Sequence, residues 1–314
     1  MRNGLLVGLT AGLVSAIVLI AAMKGSVLGL FAFIFLAPLP IIIAGLGWGW
    51  PSALFAASSA ALAMLAFLHP RAALFHFIAI GLPMVLCSYL LMLNRETETR
   101  DADGTALLEW YPPGRVLGVL TLLAGGLAAL SLLSMASNEN QLEEIIRARI
   151  DELGLNLPEQ TDTATFVKLM ANLFTPIAGT FWLMLASFNL WLGGLVTRAS
   201  GQLERPWPDL SLMELPRETP IVLVASVGLS FIDGYPGLIA LGFTSVLFFA
   251  YLIIGMAILH NITRGIGGRP FIIGAIYFSM IIFYPFSWII VSMIGISEPV
   301  SPLRRHSGTP DKSS

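Results

Sequence analysis

Residues 236–260 read PGLIALGFTSVLFFAYLIIGMAILH, with no Asp, Glu, Lys or Arg among them. At about 1.5 Å per residue, a helix of this length outruns the roughly 30 Å hydrocarbon core of a bilayer. Lipid offers the backbone no partner, so every donor and acceptor must be satisfied within the segment, and the run reads as a transmembrane helix. Asp233-Gly234-Tyr235-Pro236-Gly237 at its start is a strong turn signal, and Arg264 follows its end.

The same pattern repeats along the chain. Thirty-two of the 36 charged residues fall in five islands, at 94–115, 138–168, 198–218, 261–270 and 298–314. The other four, Arg2, Lys24, Arg71 and Asp233, stand at a terminus or at short breaks between apolar runs. Spans are expected near 4–23, 27–46, 51–68, 72–93, 116–136, 170–197, 219–232, 236–260 and 271–294. The fold class is therefore all-α, a polytopic transmembrane helix bundle of about nine spans. If the short seventh span and the eighth make one broken helix or a re-entrant pair, the count is eight. Residues 1–297 are expected to form a single integral membrane domain. Within it, 137–168 is an extramembrane amphipathic helical insert between spans five and six, and 298–314 follows as a disordered tail.

Of 314 residues, 56% are hydrophobic and 11% charged, where an ordinary soluble domain carries about 25% charged. That excludes a soluble globular enzyme. The net charge of −2 holds no basic excess, so nucleic acid is not expected as a partner. Cys87 is the single cysteine, lies in an apolar run, and reads as a small buried side chain.

Arg2 followed by an apolar run has the look of a secretory signal. No small-x-small cleavage site follows, and the run is long enough to span, so it reads as a retained first helix. With the N-terminus inside, nine Lys and Arg lie on the inner side and eight on the outer. The loops 94–115 and 198–218 make the best case for the cytoplasm. In the second of these, Pro206, Trp207 and Pro208 preclude a regular helix and favour a loop packed at the headgroups.

In the insert, Leu142, Ile145, Ile146, Ile150 and Leu153 share one helical face. Asn140 and Glu143 fit a helix start, Glu143 and Arg147 an i,i+4 ion pair, and Gly154 a stop. Thr161-Asp162-Thr163 supplies the next N-cap. The plain reading is an amphipathic helix on the membrane surface; a lid or partner-docking element is the other.

Residues that carry chemistry are few. Gly4, Gly8 and Gly12 recur every four positions in the first span, a spacing that lets another helix backbone approach closely. They read as helix packing within the protein or as docking of a separate membrane subunit. Pro38 and Pro40 interrupt the second span, and broken helices offer free carbonyls to a solute. His76 and Asn189 are among the polar residues left inside spans. Together with Pro38 and Pro40 they form the candidate substrate pocket, although interhelical hydrogen bonding is the plainer account of each.

No charged residue is expected in mid-span, which argues against a central carboxylate coupled to protons or sodium. His69 and His76 alone make a poor metal site, and neither metal nor cofactor is expected. The chain has no His-Glu-x-x-His, no Gly-x-Ser-x-Gly and no Walker A lysine motif. Ser230 and His260 fall at opposite ends of their spans, too far apart for a nucleophile and its base. No catalytic residue is assigned, so the chain is expected neither to be an enzyme nor to power transport by itself.

These features resemble the YybS-like DUF2232 family of bacterial membrane proteins. The resemblance rests on the Pro-Leu-Pro within Ala37–Ile41, the glycine-rich turn into an Ala-rich third span, and the charged loop near Arg95. It rests also on the insert at 138–168 and the Gly255–His260 segment, and it covers roughly 1–297. The family is distantly similar to the S components of energy-coupling-factor (ECF) transporters, membrane subunits that capture a solute and dock on a shared ATPase module. That similarity implies a docking role for the first-span glycines and a place near the substrate for residues 37–51. Two features depart from it: S components have fewer spans, and their docking motifs are alanine-based.

The sequence thus leads to a multi-pass protein of the bacterial inner membrane. Its expected role is a transport-related substrate-capture subunit without its own ATPase, with the bilayer, other membrane subunits or a shared ATPase module as partners. The alternative is a non-catalytic envelope scaffold that binds partners through its helix faces and insert.

Overall fold

Proline cuts much of this chain into helices. Its missing N–H costs nothing in a helix's first turn and breaks the hydrogen-bond ladder elsewhere. The computed structural model describes residues 2–24, 36–100, 104, 106–152, 154 and 162–298. After α1 (Arg2–Lys24), Pro40 lies in the first turn of α2 (Leu39–Trp48) and Pro51 in that of α3 (Trp50–Phe67). Pro70 opens α4 (Pro70–His76), and a π-turn (Phe77–Gly81) joins it to α5 (Leu82–Met92). A hairpin of β1 (Asn94–Arg100) and β2 (Ala106–Trp110) follows. Then come α6 (Pro113–Met135), α7 (Glu139–Glu152) and α8 (Thr163–Ala199), which carries Pro176 without ending there. A 3-10 turn (Leu210–Leu212) precedes α9 (Thr219–Leu229), α10 (Tyr235–Ile262), α11 (Arg269–Ile282) and α12 (Phe286–Ser297).

The protein is an all-α helical bundle, with one short hairpin among the described residues. Among the described residues, six stretches are long and apolar enough to cross a membrane: Asn3–Ala21, Trp50–Phe67, Pro70–Met92, Pro113–Met135, Thr163–Ala199 and Tyr235–Ile262. Four apolar helices among the described residues are shorter: α2, α9, α11 and α12. The chain gathers into two compact units, Met1–Val116 with Met184–Pro208, and Leu117–Leu183 with Asp209–Ser314.

In the first unit, α1 lies on α3 through its glycine face. A Cβ on Gly4 would stand 2.8 Å from Ser52 Oγ, one on Gly8 would meet Ser52 O and Phe55 Cβ, and one on Gly12 would meet Ala56 O. Farther along the same crossing, Ala16 packs with Ala60, Ala63, Met64 and Ala73. The hairpin is antiparallel, pairs Arg95 with Glu109, and carries an ion pair between them at 2.6 Å. Its turn uses Gly104 at φ +82°, a conformation that favours glycine.

In the second unit, α7 turns its apolar face onto its own neighbours. Leu142 is fully buried with Leu132, Ala136, Ala171 and Leu238, and Ile145 and Ile146 pack against that cluster. The helix begins earlier than the Asn140–Glu143 spacing predicts. Asn138 Oδ1 accepts from Gln141 N at 2.9 Å, and Gln141 Oε1 accepts from Ser137 N at 2.7 Å, a reciprocal cap. The ion pair in the helix joins Arg149 to Glu152, not Glu143 to Arg147. Asp162 caps α8 as expected, accepting from Ala164 N and from Thr165 Oγ1.

The remaining differences also have local causes. The expected last span, 271–294, is broken between α11 and α12 because Pro285 cannot continue a helix ladder. The expected second span is described only from residue 36, and there the chain turns at Ala37–Pro38 before α2 begins at Leu39. Its earlier part and the tail beyond Glu298 lie outside the described residues.

Candidate functional site

A fully buried polar junction of the first unit forms where α1, the start of α2 and the end of α4 meet. Ser15, in mid-α1, is fully buried, and its hydroxyl donates to Ala37 O at 2.7 Å. Ala37 lies just before α2, so its carbonyl is available to a side chain. Ser15 Oγ also lies 3.1 Å from His76 Nε2. A hydroxyl has one hydrogen, already given to Ala37, so here the Ser15 oxygen accepts and Nε2 carries the proton. That leaves His76 Nδ1 as an acceptor, and this buried nitrogen has no hydrogen-bond partner among the described residues.

His76 is the last residue of α4, directly before the π-turn. A π-turn holds one extra residue in the ladder, and such turns occur frequently at functional sites. Close packing fixes it here, since a Cβ on Gly81 would stand 2.8 Å from Ala57 Cβ. His69, expected to share a helix face with His76, instead caps α4: its Nδ1 accepts from Arg71 N at 3.2 Å.

Pro38 is buried beside this junction, and Pro40 is partly buried one helical step further on. Asn189 is fully buried in α8, where its Nδ2 donates to Leu185 O at 2.8 Å. One turn on, a Cβ on Gly193 would meet Ile42 Cγ2 at 2.5 Å and Leu39 Cδ1 at 3.6 Å. Ala37, next to Pro38, and His76 are thus linked through Ser15, while Gly193, one turn from Asn189, approaches α2. Ser15 was missed in the sequence because one serine in an apolar span reads as filler. Only its position opposite a helix break distinguishes it. The glycines Gly4, Gly8 and Gly12 are occupied by α3.

At one end of this unit, Arg205 holds the two charged loops together. Its guanidinium donates to Leu91 O at 2.9 Å and Tyr111 O at 3.0 Å and lies over the Trp110 ring. Burial pulls its pKa below the usual arginine value, although arginine stays charged in proteins. Arg198 over Trp207 and Arg115 over Tyr111 repeat the cation–aromatic pairing.

The second unit has its own polar clasp. Arg264, just after α10, makes a two-pronged ion pair with Asp209 at 2.6 Å for each prong. Ser211 donates to the same carboxylate, and Asn261 donates to Ser211. Arg264, with help from Ser211, holds the Asp209 carboxyl well below the ordinary carboxylate range. An open depression of about 380 Å³ lies elsewhere in this unit, lined by Ser137, Asn138, Glu139, Asn140, Gly234 and Tyr235. Among the described residues no group of three His, Cys, Asp or Glu side chains is placed to hold a metal ion.

A family model described as predicted membrane protein (DUF2232) matches residues 12–297. No curated protein and no solved structure matches the chain.

Proposed function

This chain belongs to the DUF2232 family of predicted membrane proteins, and from that premise we propose that it is a transport-related substrate-capture subunit with no ATPase of its own. One observation supports the reading: a histidine buried at a π-turn, oriented by Ser15 against a helix break, keeps an acceptor nitrogen without a partner among the described residues. A purely structural histidine in lipid has every reason to satisfy both nitrogens. Pro38, Pro40, His76 and Asn189 then border the solute, and neither a catalytic residue nor a cofactor is assigned.

On this reading the protein is a multi-pass resident of the bacterial inner membrane. Eight or nine crossings follow if the shorter helices complete spans with their neighbours. Its partners are the bilayer and either other membrane subunits or a shared ATPase module, in the manner of the S components of ECF transporters. With Gly4, Gly8 and Gly12 packed on α3, such a partner has to dock on another face.

The test is affinity purification of the intact chain in mild detergent with mass spectrometry of what accompanies it. A transmembrane coupling protein together with paired ATPases is the expected result. Cell-wall, division or secretion proteins, or no partner at all, overturn the reading.

A second reading, a non-catalytic envelope scaffold, draws on α7. Its apolar face is covered, and Glu144, Arg147 and Arg149 are exposed on the other. Charge reversal at Arg147 and Arg149 then abolishes partner recovery, while His76→Ala and Asn189→Ala leave it unchanged.

A further inference from the structure

Phe188, Trp191, Leu195 and Arg198 follow one another along α8 at offsets of three, four and three residues, which keeps them on one helical stripe. Phe188, Trp191 and Leu195 are 41%, 45% and 41% exposed, and Arg198 is exposed as well. The Phe188 and Trp191 rings lie 6.0 Å apart. At about 1.5 Å per residue the stripe runs about 15 Å, half of a hydrocarbon core about 30 Å thick. It is one leaflet deep and ends in a cation.

Other elements of the first unit end beside that cation. α8 stops at Ala199, and Arg205, in the loop that follows, holds the end of α5 at Leu91 O and the approach to α6 at Tyr111 O. α2 reaches the same loop, since a Cβ on Gly47 would stand 3.3 Å from Gln202 Cβ. The neighbouring Trp48 and Trp50 are exposed, and Trp50 meets Tyr89 edge to face at 6.4 Å. Trp and Tyr collect where the bilayer meets water, so this end of the unit lies at the headgroups.

Charge at this end is not balanced. The Arg198 guanidinium lies 5.5 Å from the centre of the Trp207 ring, and that of Arg115 lies 5.9 Å from the Tyr111 ring. Among the described residues, neither of them nor Arg205 pairs with a carboxylate. Glu109 is taken by Arg95, and Glu204 is exposed and in no ion pair among the described residues. A helix C-terminus favours a cation, which accounts for the charge of Arg198 but not for the ring that fixes it. Trp207 is itself seated on α8, 3.2 Å from where a Cβ on Gly194 would stand. The guanidinium is therefore held in place before a ligand arrives, which lowers the ordering cost of binding.

We propose that Arg198 and the Phe188–Trp191–Leu195 stripe bind one anionic phospholipid. Its phosphate accepts from the planar fork of Arg198, and an acyl chain lies along the stripe. Arg115 adds a second uncompensated cation at the same depth, which favours an anionic headgroup over a zwitterionic one. Arg205 acts as a positioning residue through the loop that carries Trp207. A soluble phosphate compound would have no use for the apolar stripe, so the source is lipid. The inference rests on α5, α6 and α8 ending at the membrane surface and is independent of solute capture.

The test is native mass spectrometry of the intact chain, equilibrated in mild detergent with equal amounts of phosphatidylglycerol and phosphatidylcholine. Phosphatidylglycerol is expected to be retained about fivefold or more over phosphatidylcholine, the advantage of one arginine near anionic lipid. Arg198→Gln is expected to remove most of that preference, while Arg198→Lys and Arg149→Gln, the latter on the distant insert helix, keep it. Trp191→Ala is expected to weaken retention of both lipids. Equal retention of the two lipids by the unaltered protein overturns the site, and that result needs no variant to fold. An undiminished preference in Arg198→Gln, or an equal loss in Arg149→Gln, also overturns it. Displacement of phosphatidylglycerol by an excess of inorganic phosphate overturns the lipid as the source.

Discussion

The glycines of α1 show how one missing side chain sets a helix crossing. Gly8 and Gly12 lie over Ser52 O and Ala56 O, so an added methyl meets backbone, which cannot swing aside. Gly8→Ala is expected to destabilise the protein in detergent by about 1–3 kcal/mol, read as a lowered midpoint of thermal unfolding. Gly126 is the matched control, a helical glycine with nothing within 4 Å. Gly126→Ala is expected to be neutral or to stabilise by up to about 1 kcal/mol through helix propensity. The spacing of the glycines was legible in the sequence, but their partner was not, because a four-residue repeat specifies a flat face and not what lies on it. His76 was legible as a polar residue in a span. Ser15 was not, since its importance comes from Ala37, 22 residues away, which a fold must bring to it.

At the scale of elements, the 3-10 turn at Leu210–Leu212 is held to the end of α10 by Asp209, Ser211, Asn261 and Arg264. A carboxyl whose pKa is depressed in the folded state contributes stability that is present above its unfolded value of about 3.9. That contribution is lost progressively as pH falls from the unfolded value through the folded one. Hydrogen exchange at Ser211–Met213 is therefore expected to be protected equally from roughly pH 8 to 5 and to quicken only in stronger acid. Asp209→Asn is expected to quicken it throughout. The sequence marked this region as a proline-rich loop and stopped there, because an ion pair across 55 positions has no local signature. The hairpin was missed for a related reason. Asn94–Arg100 is almost wholly exposed, so no apolar alternation records its strand period, and Gly104 is its main trace.

At the scale of the molecule, Arg205 fixes one feature of topology. By reaching both Leu91 O and Tyr111 O, it brings the 198–208 stretch to the end of the first unit that carries the hairpin. Glu98→Cys and Gln202→Cys, each in the Cys87→Ala background, are expected to react with an impermeant maleimide from one face of the membrane. Labelling from opposite faces would contradict the clasp. Charge islands sufficed to read the bundle, because hydrocarbon tolerates so few alternatives. They sufficed for the 198–218 island too: Pro216 packs on Gly118, near the Arg115 end of α6, and Arg217 and Glu218 beside it are exposed.

α12 bears on how the protein is made. Twelve residues give about 18 Å of helix, short of a bilayer's width, so insertion machinery that selects segments by length and apolarity gains little from this one. Its place depends on Gly255 and Gly295, which let it lie against α10 with backbone nearly touching backbone. α10 must therefore already be seated when α12 arrives, and α12 enters the membrane by packing on a neighbour rather than by partitioning into lipid on its own.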